Sequence, residues 1–194
     1  MADRLAATPS QTVGPFFHLA LDRAEWADLT ADNPHGERIV IAGRVTDGDG
    51  AAVADAFLEV WQANAAGRYA HPDDTRTDKP LDPHFRGFGR VATDADGNFR
   101  LTTIRPGPVP GRGNALQAPH IAVALFARGL LKPLYTRIYF AGDPANEADP
   151  VLQSIDEPRR RQTVIAAPAP GDAPPAWRFD IVMQGDAETV FFDI

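Results

Sequence analysis

The chain of 194 residues contains no cysteine. That absence excludes a disulfide framework, thiolate metal sites and cysteine nucleophiles. It is compatible with a reducing cytoplasm, the expected location. Long apolar runs are also missing: none approaches the ~20 residues that a membrane-spanning helix needs. Met1 to Ser10 lacks the apolar segment of a secretory signal. Basic charge is scarce, with 19 Lys and Arg against 26 Asp and Glu and a net charge of −7. The largest basic run, Arg159-Arg160-Arg161, lies close to Glu157 and reads as a solvated helix face. Neither nucleic acid, which usually meets a basic patch, nor a membrane is expected as a partner. Nucleotide motifs are absent too. Gly111-Arg112-Gly113 has neither the glycine spacing nor the strand-to-helix context of a dinucleotide fold, and there is no Gly-x-Ser-x-Gly elbow.

Proline (18) and glycine (16) are abundant. Without periodicity, and with apolar residues plentiful, they indicate many loops on a rigid scaffold. The first 36 residues have no strand periodicity. Phe16, Phe17, Leu19, Leu21 and Trp26 make this segment an arm that packs on something, because so apolar a leader would be unfavourable in water. Strand patterns begin at Arg38 and recur over Ala56 to Gln62, Arg86 to Thr93, Asn98 to Ile104, His120 to Leu125, Leu134 to Phe140 and Trp177 to Met183, and the chain closes with Thr189 to Phe192. Arg86 to Thr93 and Asn98 to Ile104 flank Asp96-Gly97 and read as a hairpin. Glu59, on a partly buried strand, calls for a partner. Asp149 to Ile155 and Glu157 to Val164 read as short helices, and Ala166 to Pro175 as a surface loop. Connections this short favour antiparallel pairing. The expected architecture is a single all-β domain, an antiparallel β-sandwich over 37–194, with an extended N-terminal arm over 1–36 and a few short helices.

Two residues carry potential chemistry. Tyr69 lies in the polar loop Ala65 to His71, and His120 opens a strand. A His-x-His pair on a strand would turn two imidazoles to one metal, but the second position is Ala122. Taken alone, His120 is an ordinary hydrogen-bonded residue. Tyr135 and Tyr139 read as packing residues with hydroxyls at water, and Arg137 between them as a residue facing an interface.

Phe57-Leu58-Glu59-Val60-Trp61-Gln62-Ala63-Asn64, with Gly67-Arg68-Tyr69 after it, resembles the non-haem iron intradiol dioxygenase family. So do Asp94-Ala95-Asp96-Gly97, Thr103-Ile104-Arg105-Pro106-Gly107-Pro108, Ala118-Pro119-His120-Ile121 and Tyr139-Phe140-Ala141-Gly142-Asp143-Pro144. Each block is weakly specific; their common order across most of the chain is strongly so. Thr8 to Pro15, Leu125 to Gly129 and Glu188 to Ile194 resemble the alpha chain of a two-chain member. Catalytic members hold ferric iron with two tyrosinates and two histidines. Mapped on the shared motifs, the first tyrosine is Tyr69 and the first histidine is His120. The second tyrosine position is Val109, the second histidine position is Ala122, and a customary arginine is Gln117. Aliphatic side chains offer no lone pair, so the resemblance implies a vestigial site and no iron in this chain.

It further implies an iron-bearing beta chain as partner, with Fe(3+) held there. The alpha arm then reaches the partner's pocket, lined by Thr12, Gly14 and Pro15, and Arg128 projects toward the substrate. That substrate is 3,4-dihydroxybenzoate, opened with O2 to 3-carboxy-cis,cis-muconate. A guanidinium suits its ring carboxylate. For Arg128 the plainer reading is an interface salt bridge, and for Gly14-Pro15 a turn ending the arm. Two other functions compete. One is a self-sufficient dioxygenase using Tyr69, His120 and His71 or His84. The other is a non-enzymatic β-sandwich binding module, which would be a stable monomer.

Overall fold

The computed structural model describes residues 7–113, 115–171 and 173–193. Residues 1–6 of the expected arm and Ile194 of the closing motif lie outside the described residues. The strands are β1 (Arg38–Thr46), β2 (Phe57–Trp61), β3 (Phe88–Ala92), β4 (Asn98–Ile104), β5 (Val109–Pro110), β6 (Leu116–Gln117), β7 (Ile121–Phe126), β8 (Leu134–Phe140), β9 (Ile165–Ala169), β10 (Ala176–Arg178) and β11 (Ile181–Val182). Short helices are α1 (Phe16–Leu21), α2 (Pro150–Gln153) and α3 (Pro158–Arg161), with 3-10 turns beside them. The chain is therefore mostly β with a few short helices. No described helix is long and apolar enough to cross a membrane.

The hydrogen-bonded order is β11-β1-β10-β9-β8-β7-β2-β3, with β4 on the other edge of β1 and β5-β6 as a separate pair. Most pairings are antiparallel, as expected, but β1 runs parallel to β10 and to β11, and β8 parallel to β9. The β8–β9 pairing is possible because the connection carries α2, α3 and their 3-10 turns, enough chain to return to the starting end. Ala166 to Pro175 is correspondingly not all loop: its first half is in β9, paired with β8 and β10.

Three other expectations need correction. Asp94 to Asn98 does form a tight turn, its carboxylate accepting from the Asp96 and Asn98 backbone N–H groups at 2.9 and 2.8 Å. Yet β3 pairs with β2 and β4 with β1, so the turn passes the chain between two groups of strands and closes no hairpin. Cross-strand partners decide this: Arg90 of β3 meets Glu59 of β2 at 2.7 Å, which also supplies the partner Glu59 required. The closing Thr189 to Phe192 makes only an isolated bridge, Tyr135 with Phe192. The strand read over Trp177 to Met183 is interrupted between β10 and β11, where the Asp180 carboxylate accepts from the Arg44 N–H at 2.8 Å. Gly43 is required there, because a Cβ would lie 1.6 Å from the Phe179 carbonyl oxygen.

Alternation places Ile39, Ile41, Phe99 and Leu101 in one core with Leu58, Val60, Ile121, Val123, Leu125 and Ile138. Each such side chain contributes about 1.5–3 kcal/mol when fully buried. A smaller cluster of Ala118, Tyr139, Leu152, Ile155 and Val164 fastens the helical connection to β8. Arg105, just past β4, ties that strand end to the turn after β8. It pairs with Asp143 at 2.9 Å and lies over the rings of Phe140 and Trp177, 4.4 and 5.2 Å from their centroids. Arg105→Ala is expected to cost about 1–2 kcal/mol in urea unfolding, with Arg105→Lys recovering only part of it.

Candidate functional site

The Tyr69 loop is shaped by Asn64, whose side-chain oxygen accepts from the N–H groups of Ala66 and Arg68 at 3.0 and 2.9 Å. Gly67 has φ +84°, and a Cβ there would lie 2.1 Å from the Pro108 carbonyl oxygen. Only glycine permits this contact, which lays the loop against the segment leading to Val109. The half-buried Tyr69 ring stacks on Trp61, with centroids 5.7 Å apart and planes within 7°. Its N–H donates to Asp74 at 2.8 Å. Burial raises the phenol pKa, while the positive charges of Arg137 and Arg76 oppose the rise.

His120 is buried at the start of β7. Its Nδ1 lies 2.8 Å from the Ala118 carbonyl oxygen. A carbonyl only accepts, so Nδ1 carries the proton. Burial, and then the charge of Arg137, lower the imidazole pKa from 6.5 to about 4. The folded chain thus keeps His120 neutral where the unfolded chain protonates it. Its contribution to stability is complete above pH ~6.5 and is lost as pH falls toward ~4, on the order of 3 kcal/mol. Urea midpoints measured from pH 7.5 to 4.5 should fall less steeply for His120→Gln than for the parent chain. Equal slopes would refute this assignment.

Val109 is buried in β5, paired in register with Gln117 of β6. Ala122 of β7 is paired with Arg137 of β8. The Arg137 guanidinium donates to the Gln117 side-chain oxygen at 2.5 Å and to the Tyr139 hydroxyl oxygen at 3.2 Å. Tyr139 donates in turn to Asp149 at 3.1 Å. Tyr139 is fully buried, and burial pushes its pKa well up. Its hydroxyl is therefore internal, not at water, and Arg137, half-buried, bonds into this cluster.

Of the four positions that the resemblance assigns to ferric iron, Tyr69 and His120 retain donors, whereas Val109 and Ala122 have none. Among the described residues no group of three or more His, Asp or Glu could hold a metal. His71 packs edge-on against Trp61, on which Tyr69 stacks, and His84 is exposed. The residues present do not fit a resident ferric ion.

The residues assigned to the partner's pocket lie elsewhere. Arg128 follows the far end of β7 from His120, about 25 Å along an extended strand. It is 80% exposed and paired with Asp55. Thr12 reaches the same turn, its hydroxyl accepting from the Gly129 N–H at 2.8 Å. Gly14 and Pro15 are exposed at the start of α1, where the Gly14 carbonyl accepts from Phe17 N–H at 3.0 Å. Phe17 packs on Phe57 and Phe126, and His18 bonds the Asp55 carbonyl. These contacts fold the arm onto its own β2 and β7. Its outer face is left with Phe16 and Leu19, 77% and 80% exposed.

Asp55 escaped the sequence reading, which also gave Arg137 no contact with Gln117 and Asp149 no role beyond opening a helix. Asp149-Pro150 is a helix-start signature. Nothing local in the sequence points to Asp55.

The family model described as Dioxygenase matches residues 13–185. A protocatechuate 3,4-dioxygenase alpha chain from Pseudomonas putida is 43% identical over 201 residues, covering 97% of each chain. A protocatechuate 3,4-dioxygenase beta chain from Burkholderia cepacia is 44% identical over 187 residues, 91% of this chain and 75% of that one. Among solved structures, hydroxyquinol 1,2-dioxygenase from Pseudomonas putida DLL-E4 matches with a TM-score of 0.64 and 22% identity, over 92% of this chain and 68% of that one. This last likeness concerns the fold.

Proposed function

The chain belongs to the intradiol dioxygenase family, and from that premise we propose that it is the alpha chain of a protocatechuate 3,4-dioxygenase, working in the cytoplasm beside an iron-bearing beta chain. The observation that carries this reading is the match to an alpha chain over nearly the full length of both proteins. The aliphatic side chains of Val109 and Ala122 agree with it, since they leave the chemistry to a partner.

In this reading the two groups of strands pack as a β-sandwich. Residues 1–36 form the arm and 37–194 the sandwich. The exposed Phe16 and Leu19 of α1 meet the beta chain, since apolar side chains this open favour burial. Thr12, Gly14 and Pro15 border the partner's pocket, and Thr12 holds the turn that presents Arg128. The Arg128 guanidinium pairs with the ring carboxylate of 3,4-dihydroxybenzoate, orienting the ring for cleavage. Fe(3+), bound by the beta chain, supplies the means of reaction with O2. Both oxygen atoms enter the product, 3-carboxy-cis,cis-muconate, as the bond between the two hydroxylated carbons breaks.

Co-expression with a candidate beta chain tests the reading. The chain alone should be colourless and without ring-cleaving activity. The copurified pair should be coloured by tyrosinate-to-iron charge transfer and should consume O2 with 3,4-dihydroxybenzoate. Stoichiometric iron and turnover in the chain alone would support the self-sufficient alternative, and a stable monomer indifferent to the beta chain would support the binding module.

A further inference from the structure

Two strand registers converge on one hydrogen bond. Val109 pairs with Gln117 across β5–β6, and Ala122 pairs with Arg137 across β7–β8. Gln117 and Arg137 are bonded to each other at 2.5 Å. The two positions without metal donors therefore lie opposite the two halves of a single polar bridge. Arg137 also reaches the Tyr139 hydroxyl oxygen, and its charge bears on both residual donors, Tyr69 and His120.

Arg137 has neutral partners, as do Arg38 and Arg68, but it alone of these lies opposite a lost donor position. Arg76, Arg90, Arg105 and Arg128 are each paired with a carboxylate, on Asp74, Glu59, Asp143 and Asp55. Arg137, half-buried, makes no such ion pair among the described residues; it is held by the neutral oxygen atoms of Gln117 and Tyr139. A cation gathered by oxygen atoms near a phenol and an imidazole has the electrostatic character of a coordinated metal.

We propose that Arg137 is a built-in cation that takes the place of the metal ion in this cluster and keeps metal out of it. Loss of the donors at Val109 and Ala122 is then only half of the change. A fixed positive charge opposes entry of a second, and opposes a trivalent ion three times as strongly as a monovalent one. The guanidinium cannot relieve this by losing its proton. The inference concerns this chain's own residues and does not depend on the identity of the partner.

The test restores the donors with and without the charge. Three full-length variants are prepared: V109Y/A122H, V109Y/A122H/R137Q and V109Y/A122H/R137K. Iron per chain is counted above that of a parallel wild-type preparation, and the tyrosinate-to-iron absorption is recorded. V109Y/A122H should stay nearly colourless, R137Q should raise the added iron at least about tenfold with the colour, and R137K should return it to the low level. Full loading with Arg137 in place, loading with Lys as good as with Gln, or no loading of a folded Gln variant would each overturn the proposal. A second measurement needs no engineered ligands. Millimolar guanidinium should raise the melting temperature of Arg137→Ala but not of the parent chain, whereas urea, its neutral isostere, should not. Equal rescue by both, or rescue by neither, would count against a cation site.

Discussion

Asp149→Ala is expected to unfold about 4 kcal/mol more easily than the parent chain, a very large loss for one side chain. Asp149 is fully buried. One carboxylate oxygen accepts from the N–H groups of Val151 and Leu152 at 2.8 Å each and from the Tyr139 hydroxyl, and the other from Ala118 N–H at 2.7 Å. Truncation leaves three backbone N–H groups and a phenol without their acceptor, in a place water does not reach. Each buried orphan costs about 1–3 kcal/mol, partly relieved by local relaxation. Asp149→Asn keeps one acceptor oxygen and is expected to cost about half as much. Urea unfolding with linear extrapolation reads both; a loss below about 1 kcal/mol for the alanine variant would contradict this account. The consequence extends to the candidate site. Ala118 lies between Gln117 and His120, so Asp149 fixes the segment that carries both.

Arg128→Ala is expected to lower kcat/KM for 3,4-dihydroxybenzoate about 100-fold in the two-chain enzyme, while the isolated chain loses less than about 1 kcal/mol of stability. The two effects separate because Arg128 is largely exposed here, and an exposed pair with Asp55 contributes little to folding. Against a substrate carboxylate in a closed pocket, the same guanidinium is desolvated and far more effective. The loss should appear chiefly in KM, since charge pairing holds the substrate in ground and transition states alike. Catechol, which lacks the carboxylate, should be turned over by parent and variant with similar kcat/KM. Equal losses for both substrates would point to a structural interface salt bridge instead.

Much of the fold could be read locally. Alternating apolar residues identified β1, β2, β4, β7 and β8, and Asp149-Pro150 and Glu157-Pro158 sit where short helices begin. The failures have one cause. Whether Asp94 to Asn98 closes a hairpin depends on Glu59 and Ile39 finding partners in different strands, Arg90 and Thr103. Proline and alanine in Ala166 to Pro175 lower the local tendency to form a strand, yet β8 and β10 impose one on its first half.

The candidate site divides the same way. Tyr69 and His120, and the missing donors at Val109 and Ala122, follow from residue identity at motif positions. Coordination chemistry is a property of side-chain atoms, so an aliphatic residue excludes a ligand whatever surrounds it. Arg137 required the registers of two strand pairs before its relation to Gln117 and the lost positions could be seen.

Motif order and residue identity were enough to determine the family and to put aliphatic side chains, Val109 and Ala122, at two of the positions that the resemblance assigns to iron. Tertiary structure alone decided that strands β3 and β4 part company, that Thr12 meets the Arg128 turn, and that an arginine from β8 bonds both Gln117 and Tyr139. Those outcomes arise from contacts between segments far apart in the chain, where hydrogen-bond satisfaction and shared burial override what any short stretch prefers by itself.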